Sequence, residues 1–451
     1  MKVVVIGSGK VGRTIIEHTS QEGHEVIAID NDSKAIESLI DQYDVMGLVG
    51  NGASYDVLKN AGVDKSSLVI AATSSDETNI LSCLVAKKIG AKSTIARVRS
   101  YEYMNQLNLI KKDLGITMTI NPEYESTLEM MRIIDFPEAL RIETFAKGKV
   151  DLVELYVGEN SPLVGQTLIS IYLKYQLQVL VCAVQRNDEV FIPTGSFEIH
   201  AKDKIHITAK KSQLRKFISK AGLIENKIKD VLIIGGGKMS LYLGNELLKD
   251  KYNVKIIENN YDRCVELSQL LPKATIIHGD GSDQKVLEDE GIKDSDAVVC
   301  LTGMDEENII ISLYAHQQKV HKVITKINRT SLVGLMESIS TSSIISPKDI
   351  VASCIVSHLR SINNARGSNV VTLHKLVNNK VEALEFQAKE DKKILNICLK
   401  DLKLKQNILI AEIIRDGKAI IPNGNDMIIK DDNVIVVTTN PYLDDLSDIL
   451  E

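Results

Sequence analysis

The sequence predicts an α/β protein: two doubly wound parallel-sheet domains, each followed by a small α+β domain, arranged as a tandem repeat. Three observations predict it. A glycine-rich turn follows a short apolar run twice, as Gly7-Ser8-Gly9-Lys10-Val11-Gly12 and again as Gly235-Gly236-Gly237-Lys238-Met239-Ser240. Around each turn, β-branched runs of strand length alternate with amphipathic stretches, the pattern of a parallel sheet with crossover helices. The middles of the two halves also align without a gap. Gly52, Val57, Leu58, Gly62, Ser66, Val69, Thr73, Asp76, Glu77 and Asn79 meet Gly281, Val286, Leu287, Gly291, Ser295, Val298, Thr302, Asp305, Glu306 and Asn308. Chance does not produce that pattern in one short window, so the chain is internally duplicated.

In the first half the expected strands are Lys2–Ile6, Glu25–Asp30, Val45–Val49, Leu68–Ala72 and Ser93–Arg97. Amphipathic stretches such as Val11–Glu22 and Asp76–Ile89 lie between them. The second half repeats this with Val231–Ile234, Val254–Glu258, Thr275–His278, Ala297–Leu301 and Lys322–Lys326. Helical connectors are expected from Glu123 to about Leu140 and from Asp349 to about Asn363. After each connector comes a matching module of alternating strands. Leu180–Arg186, Pro193-Thr-Gly195 and Asp203–Ile207 in the first parallel Leu409–Arg415, Pro422-Asn-Gly424 and Asp432–Val436 in the second. The expected domains are 1–122, 140–224, 228–347 and 367–451.

A chain of 451 residues with 44% apolar and 25% charged residues can bury several cores, and its composition is that of a soluble globular protein. A net charge of −6 without a dense basic run argues against a nucleic-acid partner. No run approaches the length of a membrane span, and the apolar stretch Val3–Ile6 is too short for a signal peptide. Six scattered cysteines lack any C-x-x-C pair and read as buried reduced thiols. The histidines show no metal-ligand spacing; His200 and His206 read as surface or turn residues.

The first turn leaves a strand and opens a helix, the context that gives G-x-G-x-x-G its meaning as a Rossmann-like dinucleotide fingerprint. Gly7 permits the tight turn, Gly9 lets backbone approach a pyrophosphate, and Gly12 lets helix and strand pack closely. The phosphates would meet free N–H groups at the helix N-terminus. Asp30 ends the next strand, placed for ribose hydroxyls, and its charge favours NAD(H) over NADP(H). Glu258 takes that place in the second half, where Ser240 departs from the pattern. Two readings of the second half stay open, a second nucleotide site and a degenerate structural copy.

Gly7 to Thr14 is one residue from a P-loop, but Arg13 stands where that motif needs Lys. ATP or ADP could still share the adenosine part of the pocket. Tyr55-x-x-x-Lys59 reads as a helix-surface coincidence rather than a dehydrogenase pair, and no catalytic constellation can be assembled. Thr73 and Thr302 follow the fourth strands, at the carboxyl end where ligands lie, and Asp76-Glu77 and Asp305-Glu306 belong to first helical turns.

These motifs, in this order, resemble the RCK (regulator of potassium conductance) family, and within it the NAD-binding peripheral subunits of Trk potassium-uptake systems. Ile6–Gly12, Ala72–Asn79, Ile95–Arg99 and the two Pro-x-Gly modules carry the resemblance, which covers essentially the whole chain. It implies nucleotide contacts from Gly7, Ser8, Gly9, Lys10, Val11 and Gly12, and from Asp30, Asn51, Gly52, Thr73, Ser74 and Arg97. The matching positions are Gly235, Gly236, Gly237, Lys238, Met239, Glu258, Gly279, Asp280, Thr302 and Lys326. Lys326 replaces the arginine expected from Arg97, a point charge instead of a fork. The resemblance further implies a cytoplasmic homotetrameric ring beneath a Trk-type membrane potassium channel, gated by nucleotide and not an enzyme. The rival class is a soluble NAD-dependent oxidoreductase, which would need the catalytic domain this sequence lacks.

Overall fold

Val3, Val4 and Val5 are wholly buried and Ile6 nearly so. An unbroken apolar run of this kind is what a central parallel strand, covered by helices on both faces, requires. It forms β1 (Lys2–Ile6), followed by α1 (Lys10–Gln21), β2 (Glu25–Asp30), α2 (Ser33–Gln42), β3 (Met46–Val49), α3 (Tyr55–Asn60), β4 (Leu68–Ala71), α4 (Asp76–Ile89), β5 (Ser93–Arg97), β6 (Met118–Ile120) and α5 (Pro122–Asp135). In this computed structural model all residues are described except 101, 102, 104, 105, 107–109, 112, 138, 146–149, 188, 223–227, 330, 334, 335, 337–342, 365–369, 377–379, 390–392, 441, 442 and 444.

The strands form one parallel sheet in the order β3-β2-β1-β4-β5-β6. The order reverses between β1 and β4, and that switch point opens the crevice in which such sheets bind ligands. Helix starts are chemically marked: the Asp32 carboxylate accepts the Lys34 and Ala35 amides, and the Ser75 hydroxyl accepts that of Thr78. Helix α1 differs. Gly9 caps it without any side chain, and its first turn holds no acid.

The first small module follows: β7 (Ala139–Phe145), β8 (Val150–Tyr156), α6 (Leu168–Tyr175), β9 (Leu180–Arg186), β10 (Glu189–Phe191), β11 (Lys204–Ala209) and α7 (Lys211–Lys220). The second parallel sheet comes from β12 (Asp230–Ile234), α8 (Lys238–Lys249), β13 (Asn253–Glu258), α9 (Tyr261–Leu270), β14 (Thr275–His278), α10 (Gln284–Asp289), β15 (Ala297–Cys300), α11 (Asp305–Gln317), β16 (Lys322–Lys326), β17 (Ser343–Ile345) and α12 (Pro347–Asn364). Its order, β14-β13-β12-β15-β16-β17, repeats that of the first. The last module holds β18 (Val370–Leu376), β19 (Val381–Gln387), β20 (Ile408–Arg415), β21 (Lys418–Ile420) and β22 (Asn433–Thr438).

Both small sheets are antiparallel, ordered β10-β9-β11-β8-β7 and β18-β19-β22-β20-β21. Each carries the same bidentate pair, Arg186 on Asp203 and Arg415 on Asp432, with the carboxylates buried. Asp416 and Gly417 both take positive φ in the β20–β21 turn, as a two-residue hairpin demands. Contacts divide the chain into two units, residues 1–134 with 228–356 and residues 135–227 with 357–451. The first holds both parallel sheets and the second both antiparallel ones.

Inside the second unit the two small sheets share a core of Phe145, Val150, Leu152, Cys182 and Ala183 with Val381, Ala383, Ala411, Ile435 and Val437. One buried acid interrupts it: the Thr208 hydroxyl lies 2.5 Å from Glu412 Oε1. Burial pushes the Glu412 carboxyl up to about 7, against the Thr208 hydrogen bond and Lys210 and with the help of Asp151. The same hydroxyl lies 3.0 Å from the Asp151 carbonyl. Its one proton is shared between the Glu412 carboxylate and the Asp151 carbonyl.

Three expectations change. The first connector ends at Asp135 rather than near Leu140, because Pro137 drives Phe136 out of helical backbone. The three-residue strands β6 and β17, too short to show alternation, extend each sheet. His206 is 2% exposed, a buried strand residue and not a surface one. The expected boundaries at 224 and 367 lie outside the described residues. All six cysteines are free, four of them buried, and burial raises the Cys83 thiol to about 12.

Candidate functional site

The three glycines of the first turn answer to different causes. Gly7 has φ +97, and a Cβ there would lie 2.9 Å from the Thr73 amide nitrogen. A Cβ on Gly12 would lie 1.8 Å from the Gly7 carbonyl oxygen. The fold itself demands both. Gly9 has φ −67 and ψ −177, ordinary extended backbone, and a Cβ on it would meet nothing within 4 Å. No steric clash inside the protein demands glycine at 9. Glycine keeps open the approach to the N-terminus of α1, whose first amides have no side-chain cap and no competing acid.

A cavity of about 360 Å³ opens there, within the range of small-molecule sites. Of the first-half residues expected at a nucleotide, Gly7, Gly9, Lys10, Val11, Asp30, Asn51, Gly52, Thr73, Ser74 and Arg97 line it. Ser8 and Gly12 stand behind the wall. The Ser8 amide and hydroxyl both donate to Asp30 Oδ2 at 2.6 Å, and the Asp32 amide donates to Oδ1 at 3.0 Å. Burial pushes the Asp30 carboxyl up, yet these hydrogen bonds outweigh it and leave the group below its usual range. It is a carboxylate held in place, able to accept further hydroxyls on its remaining lone pairs.

The opposite wall is pinned by Asn79, fully buried at the start of α4. Its Oδ1 accepts from the Thr73 amide and hydroxyl, and its Nδ2 donates to the Arg97 carbonyl at 2.9 Å. Arg97 donates from Nη1 to the Thr73 carbonyl at 3.1 Å. Burial, then the Arg99 guanidinium, lowers Arg97 against the pull of Glu123 and Asp76, but a guanidinium stays charged. Thr73 thus lines the cavity with its hydroxyl committed to Asn79. Asn31, Gly50 and Thr78 also line the cavity and were not expected. The Gly50-Asn51-Gly52 run was the available signal for one of them. Tyr55 lies 54% exposed with Lys59 over its ring, a surface pair as expected.

The second turn reaches the same shape by other contacts. Gly235 has φ +96, and a Cβ on Gly237 would meet nothing within 4 Å. The Gly236 amide donates to Glu258 Oε2 at 2.6 Å and the Asn260 amide to Oε1 at 2.7 Å. The Ser240 hydroxyl donates to the Gly235 carbonyl. Asn308 holds the Thr302 amide and the Lys326 carbonyl, as Asn79 does in the first half. Lys326 Nζ donates to the Thr302 carbonyl at 2.5 Å, taking the bond Arg97 makes. The Gly279 amide donates to the Glu258 carbonyl, so it closes the loop. Asp280 turns back on Ser282, whose hydroxyl and amide lower its carboxyl. Lys238 and Met239 open α8 beside Gly237. Arg263, which the sequence did not single out, donates from Nε to the Gly236 carbonyl at 2.7 Å.

Two glycine turns at uncapped helix N-termini, each with a fixed carboxylate at the next strand and a cation across the crevice, suit an anionic ligand with hydroxyl groups. Comparison with known proteins narrows this. The TrkA-N domain family matches residues 3–122 and 231–347, and the TrkA-C domain family matches residues 152–222 and 383–451. The Trk system potassium uptake protein TrkA of Halomonas elongata is 31% identical over 442 residues, covering 97% of this chain and 95% of that protein. The Trk system potassium uptake protein TrkA homolog 1 of Methanosarcina mazei is 32% identical over 444 residues, covering 97% of each. Among solved structures, the GsuK channel bound to NAD superposes with a TM-score of 0.63, covering 97% of this chain and 77% of that chain. The GsuK RCK domain gives 0.60 over 97% and 92%. At 16% identity both likenesses establish the fold.

Proposed function

The chain belongs to the TrkA-N/TrkA-C domain family, and from that premise we propose that it is the nucleotide-binding regulatory subunit of a Trk-type potassium-uptake system. The observation that carries the binding half of this reading is the open space at Gly9 and Gly237, where no neighbouring atom blocks a ligand from the helix N-terminus. NAD(H) is the leading ligand. The amides from Gly9 to Val11 would take its pyrophosphate, Asp30 its ribose hydroxyls and Arg97 its outer charge. ATP or ADP would use the same amides. The second pocket would use Gly237 to Met239, Glu258 and Lys326. The domains run 1–122, 140–224, 228–347 and 367–451, two binding folds each with its small module.

The partner is a membrane potassium channel or transporter, and the chain works at the cytoplasmic face through it, as a homotetrameric ring. Among the described residues no helix is long and apolar enough to cross a membrane. Gating needs only differential affinity, because a ligand shifts an equilibrium by the difference in its binding to the two states.

The test is potassium flux through the purified channel complex with NAD, NADH, ATP, ADP or no nucleotide. At least two nucleotides should give distinct flux. Identical flux under every condition would overturn the gating. NADH absorbance should stay constant with hydroxy acids, aldehydes and amino acids. Saturable turnover of any of them would make the chain an enzyme.

A further inference from the structure

Tyr242 lies in α8, the helix that opens at the second glycine turn, yet its side chain is spent on the first half. It is 6% exposed. Its hydroxyl accepts from Asn121 Nδ2 and donates to the Arg99 carbonyl, both at 3.1 Å, and its ring meets Tyr124 edge-on. Each contact leads to the first pocket or to the helix that leaves it. Arg99 follows β5 two residues after Arg97, and its amide is held by Asp76 at the start of α4. Asn121 caps α5, taking the Glu123 and Tyr124 amides on its Oδ1. Further along α5, Met130, Met131 and Ile134 are buried in the core of the second sheet with Ile233, Leu243 and Val299.

The electrostatics run the same way. Glu123 Oε1 takes Arg99 Nε at 2.8 Å, while Oε2 is buried without a hydrogen-bond partner among the described residues. Its charge is felt at Arg97 of the first pocket and at Lys326 of the second, and Lys326 also feels Lys10. The device is one-sided. Thr14 holds the place of Tyr242 in the first half, and its hydroxyl donates to the Lys10 carbonyl inside its own helix.

We propose that Tyr242 is a positioning residue that couples the two nucleotide pockets, so that filling the second changes the affinity of the first. This rests on the nucleotide-binding reading above. An anion drawn to the N-terminus of α8 moves that helix, and the hydroxyl passes the movement to the Arg97–Arg99 wall and the cap of α5. By linkage the effect is reciprocal, and couplings of this kind span about 5- to 150-fold.

Calorimetry with NADH tests it on the full chain. Gly9→Val and Gly237→Val each leave one working pocket and so give the two separate dissociation constants. In the wild type, the product of the two constants should depart at least about fivefold from the product of the separate ones. With Tyr242→Phe, which keeps the ring on Tyr124, that departure should shrink to within about twofold while the separate constants hold. Equal products in the wild type, or full coupling in Tyr242→Phe, would overturn the proposal. Separate constants that move with Tyr242→Phe would reduce it to a structural residue. A wild-type chain that binds no NADH would remove the reading beneath, a distinct failure. Hydrogen exchange at residues 123–127 gives a second measure. In Gly9→Val, NADH should change it only while Tyr242 is intact, and unchanged exchange would count against the coupling.

Discussion

The two glycine turns reach one shape with different residues. In the first, Asp30 is short, and Ser8 fills the gap by donating from both its amide and its hydroxyl. In the second, Glu258 is longer and takes the Gly236 amide without help from a hydroxyl, and a Cβ on Gly236 would lie 2.9 Å from its Oε2. The third glycine differs too. At Gly12 any side chain would strike the Gly7 carbonyl, whereas Ser240 turns the same meeting into a hydrogen bond. The duplicated halves keep the position of the carboxylate and the openness of the helix end, and let the supporting residues vary together. A serine in the place of the last glycine is therefore no sign by itself of a dead pocket.

The comparison breaks most readily at Gly12. Gly12→Val should cost about 3 kcal/mol or more by forcing α1 off the sheet, read as a fall in the melting temperature. A fully stable variant would mean the two turns are packed alike after all.

Gly9→Val and Gly237→Val come next. Each should weaken NADH at its own pocket by about 100-fold or more through steric exclusion of phosphate, as calorimetry would read it. Stability should fall by no more than about 1 kcal/mol, because φ is already ordinary and only the N-cap preference for glycine over valine is lost. A large loss of stability would mean the glycine serves the fold, and unchanged binding at Gly237→Val would leave the second half a structural copy.

The small modules differ in one buried group. Glu412 lies in the core they share, where the corresponding residue of the first module is Ala183. The folded carboxyl holds its proton more tightly than the unfolded one. Its stabilisation is therefore whole below pH 4.5 and drains away as pH rises through about 7. Thermal melts should show stability falling across that window, and Glu412→Gln should flatten the fall. Equal slopes in both proteins would show Glu412 is not the group responsible.

The smallest difference is between the acids. Asp30→Ala should lose about 1.5–3 kcal/mol of NADH affinity, and Glu258→Ala less, because Lys326 makes the second pocket the weaker grip. Equal losses by calorimetry would make the two pockets equivalent.

Much of this was legible in the chain itself. Helix and strand periods, the repeated glycine turn and the aligned middles are local patterns, and they determined two parallel sheets, two small modules and the Gly7, Gly9, Asp30 and Thr73 part of the cavity wall, whereas Lys10, Val11, Asn51, Gly52, Ser74 and Arg97 came from the family resemblance. Glycine at 7, 9 and 12 could be assigned three roles because backbone geometry near a turn depends on neighbours in sequence. The tertiary structure alone decided the rest. Strands β6 and β17 are too short to carry a period, and their identity comes from pairing with β5 and β16. Thr208 meets Glu412, and Tyr242 meets Asn121 and Arg99, only because packing brings distant segments together. Such contacts depend on the direction of single side chains across an interface, which neither composition nor periodicity encodes.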